Sequence, residues 1–118
     1  SDSAPGVGPA LAEPARLRIE LDHPLRRGRI RVFVDDTLTL DERLTGQERK
    51  KALVFKLHGG SFRDELEVAP GLHEVRLEIA WDDNLKVERI VGNFRAGATR
   101  TLDAGLGRIR RDLSLEWK

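Results

Sequence analysis

The chain has 118 residues, a length that suits one domain able to bury a single hydrophobic core. Its 21 basic and 20 acidic residues leave a net charge of +1, which excludes a global electrostatic field for attracting a polyanion such as DNA. Cysteine is absent, which excludes disulfides, thiolate nucleophiles and cysteine zinc sites, and no apolar run approaches the ~18 residues that span a bilayer.

Residues 1–15 differ in composition from the rest of the chain, since they carry three of its five prolines and almost no periodic apolar residues. This composition is typical of a flexible tether. We therefore predict a tether over residues 1–15 and a folded domain over residues 16–118. Because the chain begins with serine and contains no methionine, we expect the native start, with any signal peptide or anchor, to lie upstream.

After the tether, apolar residues recur in short runs of two-residue alternation, which predicts strands. Turn residues separate the runs by about ten residues, a spacing that favours a sandwich or barrel over a βαβ fold. The sequence therefore predicts one antiparallel β-sandwich of about seven to nine strands. The runs are Leu17/Ile19/Leu21, Ile30/Val32/Val34, Leu38/Leu40, Leu53/Phe55/Leu57, Phe62/Leu66/Val68, Val75/Leu77/Ile79/Trp81, Leu85/Val87, Ile90/Phe94 and Leu113/Leu115/Trp117.

The clearest strand follows Pro70-Gly71, because proline presets the first central position of a turn and glycine accepts the positive φ of the second. Val75, Leu77, Ile79 and Trp81 then share one face, which predicts a half-buried strand. The same register argument assigns Trp81 and Trp117 to the core. We expect His73, at the entrance of this strand, on the outward register.

Two segments carry expectations of irregular structure. Residues 41–52, DERLTGQERKKA, contain good helix formers, but their apolar stripe is too thin to bury, so we expect a solvated loop or a single turn. Gly59, Gly60 and Ser61 predict a hairpin turn.

The order of motifs resembles the PEGA-type module. The run GRIRVFVDD, from Gly28 to Asp36, is similar to that family's "V-x-V-D-G" hairpin, and VAPGLHEVRL, from Val68 to Leu77, resembles its "P-G-x-H-x-V-x-V" strand. The segment from Ile90 to Leu102 is similar to the closing "v-x-l-x-x-G-x-x-x-x-L". Asp36 stands where the family has glycine, the "G-x-T-P" segment is missing, and Trp81-Asp82-Asp83 replaces the aromatic "G-Y".

The resemblance implies an immunoglobulin-like or transthyretin-like β-sandwich. Modules of this family are accessory parts of bacterial envelope or surface proteins and carry no catalytic residue set. The absence of cysteine is compatible with the bacterial envelope or periplasm and equally with the cytoplasm.

Chemical signatures are sparse, and we expect no cofactor and no metal site. The histidines His23, His58 and His73 have no ligand-spaced partner, and His58-Gly59-Gly60-Ser61 lacks the G-x-S-x-G nucleophile elbow of hydrolases. Asp82-Asp83-Asn84 could hold Ca²⁺ only loosely, because the spaced loop pattern is absent. No nucleophile and base pair can be proposed, so an enzyme is the third hypothesis after two binding roles.

The first hypothesis is a non-catalytic interaction or structural module whose partner is another protein, an assembly subunit or an envelope component. An outward Phe33 flanked by Arg29 and Arg31 is typical of an interface anchor. The other predicted interface residues are basic: Arg26, Arg27, Arg49, Lys50 and Lys51.

The alternative is a module that binds a carbohydrate or an anionic polymer through loops at Gly59 to Ser61 and Asp82 to Asn84. A further basic group, Arg108, Arg110 and Arg111, could meet phosphates if the clusters converge. We expect no nucleic-acid partner, and membrane attachment only through a segment outside this chain.

Overall fold

A computed structural model describes the backbone of residues 13–51 and 55–118 and the side chains of residues 13–46 and 60–118. Strands make up the secondary structure of these residues, and none of them lies in a helix. The strands are β1 Ala15–His23, β2 Arg27–Val34, β3 Thr37–Thr45, β4 Gln47–Lys51, β5 Phe55–Val68, β6 Gly71–Trp81, β7 Asn84–Phe94, β8 Thr99–Leu106 and β9 Leu113–Trp117.

The strands form two sheets, a five-stranded one in the order β4-β5-β1-β8-β9 and a four-stranded one in the order β3-β2-β6-β7. The predicted all-β sandwich is therefore confirmed. One pair departs from antiparallel order, since β1 runs parallel to β8 from Arg16↔Thr99 to Asp22↔Gly105. A parallel pair needs a long crossover, and here the crossover contains the whole second sheet.

The core lies between the sheets and is built from every second residue of the central strands. Leu17 and Ile19 of β1 belong to the same core cluster as Ile30 of β2 and Leu77 of β6, and all four are fully buried. Each such side chain contributes about 2 kcal/mol relative to an exposed position. The same alternation buries Val75 and Ile79, as the sequence predicts, and sends the charged residues between them outward.

The Pro70-Gly71 turn carries the chain from one sheet to the other, because β5 and β6 belong to different sheets. Gly71 has a φ of 123°, a left-handed value that glycine adopts without strain. The predicted turn and strand are confirmed. His73, however, lies in the register of Val75 and is largely buried, so the expected outward position is wrong.

At one edge of the sandwich the chain crosses between sheets at Gly46, where β3 of the four-stranded sheet continues into β4 of the other. The expectation of a loop or single turn over residues 41–52 is wrong for residues 41–51, of which all but Gly46 lie in strands. The thin apolar stripe is sufficient because an edge strand needs few anchors. Leu40 and Leu44 supply them, with exposures of 8% and 1%.

The predicted turn at Gly59 to Ser61 is also wrong, because these residues lie inside the long strand β5. Gly60 pairs with His23 of β1 at the place where the β3–β4 crossing passes. A Cβ at Gly60 would lie 2.7 Å from the carbonyl oxygen of Thr45. Glycine is required there by a close approach of two backbones, a cause that short-range sequence signals do not distinguish from a turn.

At the other edge, Trp117 of β9 lies over β7. Its indole Nε1 donates a hydrogen bond to the carbonyl oxygen of Val91 at 2.9 Å, and its ring meets Phe94 edge-on at 5.7 Å. The ring occupies the space that a Cβ on Gly92 would need. Trp81 and Trp117 both pack against the core, as predicted, although each is only partly buried.

The remaining differences concern strand number and the N-terminal segment. The runs at Leu85 and Ile90 belong to one strand, β7, and no predicted run covers β8. The first strand begins at the buried Ala15, while residues 1–12 of the predicted tether lie outside the described part of the chain. Within that part, no helix has the length and apolar character needed to cross a membrane.

Candidate functional site: an arginine-lined pocket

The outward side of the four-stranded sheet carries the central residues of the predicted interface. Because Ile30, Val32 and Val34 point into the core, the alternating Arg29, Arg31 and Phe33 must point outward. We call this surface the outer face. The neighbouring strand β3 places Arg43 opposite Arg29 and Asp41 opposite Arg31.

Asp41 binds two of the predicted arginines. Its Oδ1 accepts from Arg29 Nη1 at 3.0 Å, and its Oδ2 lies 3.5 Å from Arg31 Nε. One carboxylate between two guanidinium groups leaves this part of the surface positive. Exposed pairs of this kind contribute only about 0.2–1 kcal/mol each, so a competing anion could replace Asp41 at little cost.

Phe33 is half-buried and covered by another side chain. The Arg76 guanidinium carbon lies 4.1 Å above the centre of the Phe33 ring. Arg76 is held in turn by Asp36 at 2.7 Å and Glu78 at 3.1 Å. Phe33 therefore presents a cation–π stack to a partner, in place of the bare aromatic ring that the sequence suggested.

A surface pocket of about 500 Å³ opens where β2 begins and β3 and β6 end. Three arginines, Arg27, Arg29 and Arg43, line it together with Trp81. Guanidinium groups bind carboxylates and phosphates with two parallel hydrogen bonds, and an indole offers a flat apolar surface. The remaining lining residues are Gly28, Leu44, Thr45, Ala80 and Asp82.

Gly28 lines the pocket at a point where β2 and β6 lie close together. A Cβ at this position would lie 2.7 Å from the carbonyl oxygen of Ala80 and 3.0 Å from Leu25 Cδ1. The backbones of β2 and β6 approach closely only because the side chain is missing. Glycine at position 28 thus permits the close pairing of β2 with β6 beside the pocket.

The structure brings some of the predicted interface residues together and separates others. Arg27, Arg29, Arg31 and Phe33 all lie on β2, and Arg26 is exposed just before it. Residues 49–51 belong to β4 in the five-stranded sheet, away from β2, and the side chains of Arg49, Lys50 and Lys51 lie outside the described residues.

Sequence reasoning missed Arg43 and Trp81 as pocket residues. Arg43 falls in a segment expected to be a loop, and Trp81, which packs against the core as predicted, also lines the pocket. Asp82 belongs to the loop predicted for a carbohydrate or an anionic polymer, and it was also weighed as a loose calcium ligand. Strand alternation through Leu40 and Leu44 is the signal that would have placed Arg43 on the outer face.

A second polar cluster joins the two segments that carry the family resemblance. His73 Nδ1 lies 2.5 Å from Asp35 Oδ2, and His73 Nε2 lies 2.6 Å from the carbonyl oxygen of Ala69. Both ring nitrogens face oxygen acceptors, a setting that suits an imidazolium donating from each. Asp35 also accepts from the backbone N–H of Glu74 at 2.9 Å.

The pKa values of His73 and Asp35 shift in opposite directions. The hydrogen bond to Asp35 raises the pKa of His73 above its ordinary 6.5, against a smaller effect of burial. The bonds from His73 and from the Glu74 backbone lower the pKa of Asp35 below its ordinary 3.8. The cluster thus favours an ion pair between the β2–β3 turn and the Pro-Gly turn.

His23 has the opposite environment. It is 5% exposed, and its Nδ1 accepts a hydrogen bond from the backbone N–H of Leu25 at 3.1 Å. Burial lowers the pKa of His23 below 6.5, although Asp22 opposes this. A neutral ring with Nδ1 as acceptor is a structural element of the β1–β2 connection.

Metal binding has no assembled candidate in the described residues, since no group of three His, Asp or Glu side chains is placed to hold an ion there. Asp82 and Asp83 form the short β6–β7 turn, with Asp82 at a φ of 50°. The side chain of His58 lies outside the described residues.

No protein-family model matches the chain, and the search of curated proteins found no similar sequence. Among solved structures, the chain is similar to the crystal structure of a "putative cell adhesion protein" from Bacteroides fragilis, with 14% sequence identity and a TM-score of 0.47. The match covers 90% of this chain and 45% of that protein, so the chain spans less than half of its length.

Proposed function

We propose that this chain is a non-catalytic interaction module, similar to PEGA-type accessory modules, of a bacterial envelope protein or multi-subunit assembly. Its partner in this proposal is another protein that presents carboxylates to the outer face. The observation that carries the proposal is the convergence of Arg27, Arg29 and Arg43 on one pocket beside Trp81. Arginine and tryptophan are among the residue types enriched at the energetic hot spots of protein interfaces.

The family part of the proposal is supported by the contact between His73 and Asp35. The turn of the "V-x-V-D-G"-like segment and the start of the "P-G-x-H"-like strand hold each other through this ion pair, at 2.5 Å. The two motifs, which are separate in the sequence, thus belong to one structural unit. Asp36, which stands in place of the family's glycine, has a φ of 67°, a left-handed conformation that glycine adopts most easily.

The ion pairs on the outer face support a protein as the partner, because a carboxylate of the partner could replace the one that the arginines now bind. Asp41 between Arg29 and Arg31 shows that the surface accepts a carboxylate in this position. An acidic side chain from a partner could take the same donors, with Phe33 and Arg76 adding a stacked surface beside it.

The experiment compares two double variants after in-cell cross-linking and purification of the full protein from its native cells. Arg27→Glu with Arg43→Glu reverses the charge of two exposed side chains that line the pocket, and we expect this double variant to lose the cross-linked partner. The matched control is Arg16→Glu with Arg95→Glu, which makes the same change in charge. Arg16 lies at the start of β1 and Arg95 directly follows β7, both at the end of the sandwich away from the pocket. Equal yields of partner with the two double variants would overturn the proposal.

The second candidate function, binding of a carbohydrate or an anionic polymer, is also favoured by the pocket, because Trp81 could stack on a sugar ring while the arginines bind its anionic groups. Of the two loops that the sequence predicts for this role, Asp82 to Asn84 contains the β6–β7 turn, whereas Gly59 to Ser61 lie in β5. Binding to arrays of acidic peptides and of anionic glycans distinguishes the two functions. Glycan signals that the pocket variant loses would favour this candidate, and peptide signals alone would exclude it.

A further inference from the structure

The strand β7 forms an edge of the four-stranded sheet. It pairs with β6 along its whole length, from Gly71↔Phe94 to Trp81↔Asn84, without a break in register. On its other side, the described part of the chain provides no neighbouring strand. Exposed edges of this kind are templates for pairing with another strand.

The contacts of Glu74 show which backbone groups of β7 face that edge. The Glu74 carbonyl accepts from the backbone N–H of Asp35 at 2.9 Å, and the Glu74 N–H donates to the Asp35 side chain. The backbone groups of Glu74 therefore point away from β7. In the antiparallel pair Glu74↔Val91, those of Val91 must point away from β6, toward the free edge.

The bond from Trp117 agrees with this assignment, because it reaches the Val91 carbonyl from the edge side. Since the orientation alternates along an unbroken ladder, the N–H and C=O groups of Leu85, Val87 and Arg89 also face the edge. One half of the edge is covered, by Trp117 at Val91 and by Arg100, whose Nη1 donates to the Asn93 carbonyl at 3.1 Å. The half from Leu85 to Arg89 has no such cover among the described residues.

The sequence of the open half, Leu85-Lys86-Val87-Glu88-Arg89, is complementary to itself. We infer that β7 pairs antiparallel with β7 of a second copy of the chain, about a two-fold axis at Val87. In this register Val87 lies opposite Val87 of the second copy, and Lys86 lies opposite its Glu88. The symmetry repeats the Lys86–Glu88 pair, so two opposite-charge pairs flank the axis.

The charges select this register. A shift of the axis by one residue would place Lys86 opposite Lys86, or Glu88 opposite Glu88, and like charges opposite each other destabilise a sheet. On the other face, Leu85 is 58% exposed and would cover the aliphatic part of Arg89 of the second copy. The pairing extends two four-stranded sheets into one continuous sheet.

This inference rests on the backbone edge and its flanking charges, and not on the function proposed above. The arginine pocket and its variants leave the β7 sequence unchanged. Dimerisation and partner binding can therefore succeed or fail separately.

Cysteine cross-linking tests the register directly, because the chain has no cysteine of its own. Opposed residues of a hydrogen-bonded antiparallel pair lie about 5.5 Å apart at Cα, a separation that a disulfide spans. Val87→Cys is therefore expected to form a covalent dimer rapidly under mild oxidation. Leu85→Cys is the control, since the two substituted positions would lie roughly 14 Å apart.

Sedimentation velocity of the full chain tests the charges. Lys86→Glu and Glu88→Lys are each expected to weaken the dimer about tenfold, and the double variant, which restores opposite charges, is expected to recover it. Val87→Pro removes an edge-facing N–H and is expected to give a monomer, with circular dichroism confirming the fold. A wild type that stays monomeric to its solubility limit, equal cross-linking of the two cysteine variants, or a double variant that does not recover would overturn the inference.

Discussion

His73 and Asp35 form an ion pair, with 2.5 Å between Nδ1 and Oδ2, that joins the turn after β2 to the start of β6. The second ring nitrogen holds the Ala69 carbonyl before the Pro-Gly turn. Two chain segments that are distant in sequence, the turn at Asp35 and the stretch from Ala69 to His73, thus meet at one imidazole. The contact makes the stability of this end of the sandwich depend on pH.

His73→Gln is expected to lower the free energy of unfolding most at mildly acidic pH. The folded pKa of His73 is raised, so its contribution is fully present below the unfolded pKa of about 6.5 and is lost as pH rises through the folded value. The folded pKa of Asp35 is lowered, so its contribution is lost only as pH falls below about 3.8, through its folded value. Urea unfolding of both proteins across this range measures the difference.

The difference between wild type and His73→Gln should therefore be largest at about pH 5.5 and smaller at about pH 9. Asp35→Asn is the companion variant, which keeps the side-chain shape and removes the charge. A difference that stayed constant over the whole range would contradict the ion pair.

The pKa values of the two described histidines should lie on opposite sides of 6.5. His73 is expected to keep its proton above that pH because of Asp35, whereas His23 is expected to lose its proton below it because it is buried. Titration of the imidazole resonances by NMR measures both values in one sample. Two pKa values on the same side of 6.5 would contradict one of these environments.

Gly60→Ala is expected to destabilise the fold by about 1–3 kcal/mol, because its Cβ would meet a backbone oxygen that cannot move independently. The contact is with the Thr45 carbonyl at 2.7 Å, at the crossing between sheets. Gly105→Ala is the matched control in the same sheet, where the nearest atom is Ser114 Oγ at 3.4 Å. Thermal denaturation should show a clear loss for the first variant and little change for the second.

Trp117→Phe is expected to cost about 1–2 kcal/mol, because the indole hydrogen bond to Val91 and part of the contact with Phe94 would be lost. Trp81→Phe serves as the control, since none of the hydrogen bonds found among the described side chains involves its indole. Chemical denaturation measures both. An equal loss in the two variants would show that Trp117 acts through its bulk alone.

The sequence by itself determined the fold class and most of the core. The apolar alternation that begins at Leu17, Ile30 and Val75, and the Pro70-Gly71 turn, are short-range patterns. Such alternation is sufficient to predict that one face of each strand is buried. The outward position of Arg29, Arg31 and Phe33 follows from the same period.

Only the tertiary structure decided which strands are neighbours, and the candidate site depends on those neighbours. The parallel β1–β8 pair, the strand through Gly60 and the crossing at Gly46 arise from contacts between residues far apart in the chain. Arg43 joins Arg27 only because β3 pairs with β2, and Trp81 joins them because β6 ends beside both. A glycine such as Gly60 can mark either a turn or a close approach of two backbones, and an arginine such as Arg43 can lie in a loop or on a sheet face. Neighbouring strands decide between these alternatives, and the local sequence does not specify those neighbours.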